Sequence, residues 1–67
     1  MVLSLEKIKI AAANNQMNFS DLLKLAHVST VTAGRIREGK EVNTKTAGKL
    51  AAALGVKVEA ILHTGQA

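Results

Sequence analysis

A chain of 67 residues with nine Lys and Arg against five Asp and Glu has a formal charge of +4 and room for one domain, expected over residues 1–67 with its core at about 4–62. It lacks Cys and has one aromatic, Phe19, which leaves no disulfide framework, no thiolate zinc site and no row of rings on which single-stranded bases stack. No apolar run approaches membrane-spanning length, and Met-Val-Leu-Ser runs into Glu6 and Lys7 too soon for a signal segment, so a cytoplasmic, nucleoid-associated location and no membrane partner are expected.

The absence of Pro and the abundance of Ala, Leu and Lys predict an all-α fold. Ser4 is placed to cap a first helix, in which Leu5, Ile8 and Ala12 share one face. Asn14, Asn15 and Gln16 end it, being poor helix formers and good turn formers. Asn18 caps a second helix, with Asp21 in its first turn and Leu22, Leu25 and Ala26 as its apolar face.

His27, Val28 and Ser29 form a turn, with Val28 inward and Ser29 as the next cap. The third helix runs to about Glu38, and Gly39 stands where a left-handed residue closes a helix. Residues 40–43 form a loop. Asn43 or Thr44 caps a fourth helix with a core stripe of Ala47, Leu50, Ala51 and Leu54, closed by Gly55. A fifth short helix is expected over Val58 to Leu62, and Gly65, Gln66 and Ala67 read as a frayed tail. Gly48, inside the fourth helix, costs roughly 1 kcal/mol against Ala and implies either a close helix approach or a tolerated defect.

The middle of the chain carries the functional signal. Leu22, Ala26, Val28, Ala33 and Ile36 suit one interior, which leaves Thr30, Val31, Thr32, Gly34 and Arg35 facing outward. Two short helices across a tight turn, the second offering small groups and one Arg, are the layout of a helix-turn-helix DNA reader. The excess of positive charge suits a polyanion.

The chain resembles the Cro/C1-type (lambda-repressor-like, XRE) helix-turn-helix family over about Leu5 to Leu62. The resemblance rests on Leu22, the turn at His27-Val28-Ser29, Arg35-Ile36 with Gly39 three residues on, Ala47-Gly-Lys-Leu-Ala-Ala-Ala-Leu-Gly-Val56, and Val58-Glu-Ala-Ile-Leu62. It implies a compact five-helix DNA-binding domain whose helices two and three form the helix-turn-helix. By the same resemblance Thr30, Val31, Thr32 and Arg35 fall where the family's third helix meets base edges.

Contacts to the DNA backbone are expected from Asn18, Phe19, Arg37, Lys40, Asn43 and Lys45, helped by free amides at the starts of helices two and four. Six positions depart from the family pattern. Phe19 stands where members carry Gln, which leaves it to pack on sugar-phosphate or against the third helix, and His27 stands where they carry Gly. Ala12 and Arg37 replace both halves of a common Arg–Glu pair, which frees Arg37 for a phosphate. Leu23 and Ala26 exchange the small and large sizes usual there. Lys7, Lys9, Lys24, Lys49 and Lys57 are expected as solvated charges.

His27 and His63 lie far apart without acidic neighbours at ligand spacing, so no metal is expected. No catalytic constellation or phosphate loop stands in the sequence, so it reads as a non-enzyme without cofactor or small-molecule ligand. The expected partner is double-stranded DNA at a near-palindromic operator, bound by a homodimer that represses by occluding a promoter. A rival reading is a helical protein-interaction module, such as an antitoxin on the same scaffold. Ile10, Val2, Leu3 and part of Ile61-Leu62 are expected to remain exposed and to build a self-complementary patch from helix five and the N-terminal segment.

Overall fold

The computed structural model of the chain describes residues 1–63, and the tail expected at Gly65, Gln66 and Ala67 lies outside them. Among the described residues the chain forms four α-helices: α1 (Leu5–Asn14), α2 (Phe19–Ala26), α3 (Thr30–Arg37) and α4 (Thr44–Leu54). A 3₁₀ turn (Val58–Ile61) closes the fold. This last element was expected as a fifth α-helix. Lys57 gives it no side-chain cap, and its four residues are too few to propagate an α-helix. The fold is all-α, and no described helix is long and apolar enough to cross a membrane.

Every α-helix starts on the same device. A side-chain oxygen of the N-cap accepts the backbone N–H three residues on: Ser4 from Lys7 at 3.2 Å, Asn18 from Asp21 at 2.8 Å, Ser29 from Thr32 at 3.2 Å and Asn43 from Thr46 at 2.7 Å. Asp21 returns the bond by accepting from the Asn18 N–H at 3.4 Å, which completes a capping box.

Every α-helix also ends alike, in a left-handed residue flanked by paired backbone bonds. For α3 the Gly39 N–H donates to the Ile36 carbonyl and the Lys40 N–H to that of Arg35. Gly39 has φ +73°, as its position predicts, and Gly55 closes α4 with φ +71°. The other two ends use residues with a Cβ, Gln16 at φ 59° after α1 and His27 at φ 57° after α2. The next residue after three of these turns is apolar: Met17, Val28 and Val56 each pack on the core.

The five largest fully buried side chains come one from each element: Ile8, Leu22, Ile36, Leu50 and Ile61. Around them α2 packs on α4, α4 on the 3₁₀ turn, and α1 on both α2 and that turn. The apolar face of α2 differs from expectation. Leu25 is 56% exposed, while Phe19, Leu22, Leu23 and Ala26 are buried. Positions 19, 22, 23 and 26 form an i, i+3, i+4, i+7 stripe once Phe19 is counted as core. Leu23 and Ala26 are thus both interior, the large and small residues having traded places.

Residues 1–3 run as an extended strap between two distant parts of the chain. Val2 bridges Glu41 and Leu3 bridges Leu62, both antiparallel. The Val42 N–H donates to the Met1 carbonyl at 2.7 Å, the Ser4 N–H to Ile61 at 2.8 Å and the His63 N–H to Val2 at 3.0 Å. The strap puts Leu3 and Val42 in the core. The patch expected from helix five and the N-terminal segment therefore does not exist as an exposed surface. Leu3 is 3% exposed, Ile61 is fully buried, and Val2 and Leu62 are half-buried. Lys7, expected as a solvated charge, donates its ammonium to the Leu62 carbonyl at 3.1 Å.

Asn15 ties two helix ends together. Its amide nitrogen donates to the Ala11 carbonyl at 2.9 Å and to the Leu54 carbonyl at 3.0 Å. The second acceptor belongs to the last turn of α4, where carbonyls lack intrahelical partners. Asn15→Ala is expected to lower stability by about 1–2 kcal/mol, two modest hydrogen bonds being lost. Urea denaturation checks this, and a loss confined to the midpoint, with the slope unchanged, is the expected outcome.

Candidate functional site

The segment from Thr30 to Arg37 is a poor helix former. Five of its eight residues are β-branched or glycine: Thr30, Val31, Thr32, Gly34 and Ile36. The helix forms because Ser29 caps it and because Ala33 and Ile36 are anchored in the core, each 2% exposed. It packs less extensively on its neighbours than the other helices do and presents its opposite side to solvent.

That outer side gathers most of the residues expected on it. Val31 is 73% exposed, the highest exposure among the large apolar side chains of the described residues. Thr30 and Arg35 are exposed with it. Gly34 lies one helical step from Arg35, and a Cβ built there meets nothing within 4 Å. The face therefore offers a hydroxyl, a branched apolar surface, a bare stretch of backbone and a planar guanidinium fork with five N–H donors.

Thr32 does not join this face. It is half-buried, and its hydroxyl oxygen accepts from the Ser29 hydroxyl at 3.1 Å. Its backbone N–H is taken by the same Ser29 oxygen, so Thr32 belongs to the cap that starts α3. Helical geometry explains the difference: position 32 shares its side with Ala33 and Ile36 more than with Val31 and Arg35.

Phe19 takes the second of its two expected places, against the third helix, and not one on sugar-phosphate. The ring is 8% exposed, as part of the core. Arg37 lies over it, with its Cζ 5.1 Å from the ring centroid. A guanidinium over an aromatic face is held by attraction to the ring quadrupole. The last residue of α3 is thereby fixed over the first residue of α2. Arg37 remains exposed, with its donors free to face an anion. Phe19 acts as the platform and not as the contact.

The remaining basic and polar candidates lie around the next helix start. Lys40 pairs with Glu38 at 3.0 Å, with both side chains more than half exposed, a solvent-facing pair that exchanges partners readily. Asn43 is occupied in capping α4, as Asn18 is in capping α2. As caps they leave the other free backbone amides of these helix starts directed outward, an arrangement that can hold an anion. Lys45, in the first turn of α4, is exposed. The span from Thr30 to Lys45 holds four basic side chains against Glu38 and Glu41.

His27 and His63 are both exposed, and no group of three potential metal ligands occurs among the described residues. Comparison with protein-family models matches none, and comparisons with curated proteins and with solved structures likewise find no match. The function is therefore argued from the site.

Gly34 and Gly48 both sit inside helices with open space where a Cβ would lie. No helix approaches Gly48 closely enough to require it. Gly34→Ala and Gly48→Ala are each expected to raise stability by about 1 kcal/mol through helix propensity. For a domain of this size the melting temperature should rise by about 4–8 °C in each variant, measured by thermal denaturation.

Proposed function

We propose that this chain is a sequence-specific duplex-DNA-binding transcriptional regulator of the Cro/C1-type, lambda-repressor-like kind, acting as a repressor by promoter occlusion. In this reading α2, the turn at residues 27–29 and α3 are the helix-turn-helix, and α3 enters the major groove. The observation that carries it is the outer face of α3. A helix that keeps Val31, Thr30 and Arg35 in solvent, with a half-buried Gly34 whose missing Cβ would meet open space, gives up helix propensity and apolar burial, and a major groove uses what that face offers.

Arg35 suits a bidentate contact to guanine N7 and O6, and Val31 suits a thymine methyl. Gly34 lets the helix backbone come close to the base edges. Arg37, held on Phe19, suits a phosphate at one side of the groove. The amides and side chains at the start of α4, with Lys45 and Lys40, suit the phosphates beyond it. Two copies on a near-palindromic operator double a readout that is small in one module. Half-site centres then lie about 34 Å apart, one DNA turn.

Selection of bound fragments from a random duplex library tests the reading, with enrichment of a two-fold sequence expected. Arg35→Ala should cost about 1–3 kcal/mol on the selected site and relax preference at one base pair of each half-site. Lys45→Ala should weaken all sequences alike. Gly34→Ala should bind more weakly although it folds more stably, with Gly48→Ala as the control that gains stability alone. Affinity should fall with salt, with a log–log slope of about −4 to −5 for each copy that neutralises about four to six phosphates. A library that enriches nothing, with an affinity indifferent to salt, would rule the reading out.

A further inference from the structure

Four large apolar side chains are exposed among the described residues: Met1, Ile10, Leu25 and Val31. Met1 belongs to the strap, and Val31 to the outer face of α3. Leu25 lies in a shallow groove with His27, Lys49, Ala52 and Ala53. Nothing acidic lines that groove, so a second copy would bring cation against cation. Ile10 is different. It lies in a shallow groove on the outer side of α1 with Leu5, Glu6, Lys9 and Ala13, away from the sides that pack on α2 and on the 3₁₀ turn. Glu6, Lys9, Ile10 and Ala13 follow the i, i+3, i+4, i+7 spacing of a single helical stripe, and all four are exposed.

The stripe has an acid one turn ahead of a base, each beside an apolar residue. That order makes it complementary to itself in one direction only. Two α1 helices laid antiparallel, with a two-fold axis level with the midpoint between residues 7 and 8, set Glu6 against Lys9 of the second copy and bring the Ile10 side chains of the two copies to the same side of the seam. The symmetry repeats the ion pair. Laid parallel, the same helices set Glu6 against Glu6 and Lys9 against Lys9, which is repulsive. Ala13 adds no bulk to hold the backbones apart.

We infer that the outer stripe of α1 is a self-association surface, on which a second copy of this chain docks antiparallel through the paired Glu6–Lys9 contacts and the exposed Ile10 of each copy. The interface is isologous, as a closed two-fold dimer requires. One ten-residue helix covers far less than the ~800 Å² per partner of a standard interface. The free dimer is correspondingly weak, with a dissociation constant of about 0.1–1 mM. Adjacent half-sites on a duplex hold two copies at an effective concentration in the millimolar range, so this affinity suffices to couple them there. The inference supplies a surface for the pairing in the functional reading above, yet its test involves no nucleic acid.

The experiment is sedimentation equilibrium of the full chain from about 10 µM to about 2 mM, in low and in high salt. Concentration-dependent dimer formation that weakens with salt is expected. Ile10→Asp, at a solvent-exposed position, should weaken association at least about tenfold, about 1.4 kcal/mol. Glu6→Lys and Lys9→Glu should each do the same, and the double variant Glu6→Lys/Lys9→Glu should restore the wild-type constant. Melting curves at low concentration separate this from misfolding. A wild-type chain that stays monomeric throughout, an Ile10→Asp variant that associates normally, or a double variant as weak as the singles would overturn the inference. Duplex selection succeeding with a monomeric free chain would remove this surface alone, and a dimer that enriches no duplex would remove the DNA reading alone.

Discussion

None of the helices in this chain is long enough to stand alone. They span eight to eleven residues, below the length of about 12–15 at which an isolated helix becomes even marginal in water. Their persistence depends on one small interior to which each element contributes a fully buried side chain, Ile8, Leu22, Ile36, Leu50 and Ile61. Among the described residues no polar or charged residue is buried with them. The interior is therefore specified by shape, and the polar work of the fold is moved outward to the helix ends. Four side-chain caps and four left-handed closures satisfy backbone groups that short helices expose in high proportion.

This division of labour leaves α3 free to carry chemistry. A helix that relied on its own propensity could not hold two threonines, a valine and a glycine in eight residues. With Ala33 and Ile36 inside and Ser29 at its start, it can. Phe19 extends the same logic to the far end of the helix, where its ring seats Arg37. The residues that hold the outer face in place are thus buried or capping groups, and those that form the face contribute little to stability. On the functional reading proposed above, loss of function and loss of folding are separable by substitution.

The sequence carried most of this in local signals. The side-chain oxygens of Ser4, Asn18, Ser29 and Asn43 and the glycines at 39 and 55 mark helix ends through chemistry that acts over three or four residues. Local reasoning therefore places them correctly. Gln16 and His27 occupy the same left-handed role without being glycine, and their conformation follows from the closing turn more than from residue type. Leu22, Leu23 and Leu25 pose a different problem. Three leucines in four positions fit more than one helical face, and only the assignment of Phe19 to the interior selects the right one. Residue type alone leaves that ring either on sugar-phosphate or against the third helix, and the interior decides between them. Thr32 faces outward when only Leu22, Ala26, Val28, Ala33 and Ile36 are counted as interior, and its bond to Ser29 is what turns it toward the cap. The strap had no signal at all. Three extended residues pairing with positions about forty and sixty further on leave no periodicity behind, and Leu3 and Val42 become core only through that pairing.

The strap also decides how this module joins to anything else. Because the His63 N–H donates to the Val2 carbonyl, the path of the chain into the helical body and the path out of it meet at one spot. Segments that continue from these two points would start side by side, an arrangement that suits insertion into a surface loop of a larger protein, with the five buried side chains holding the body together between them.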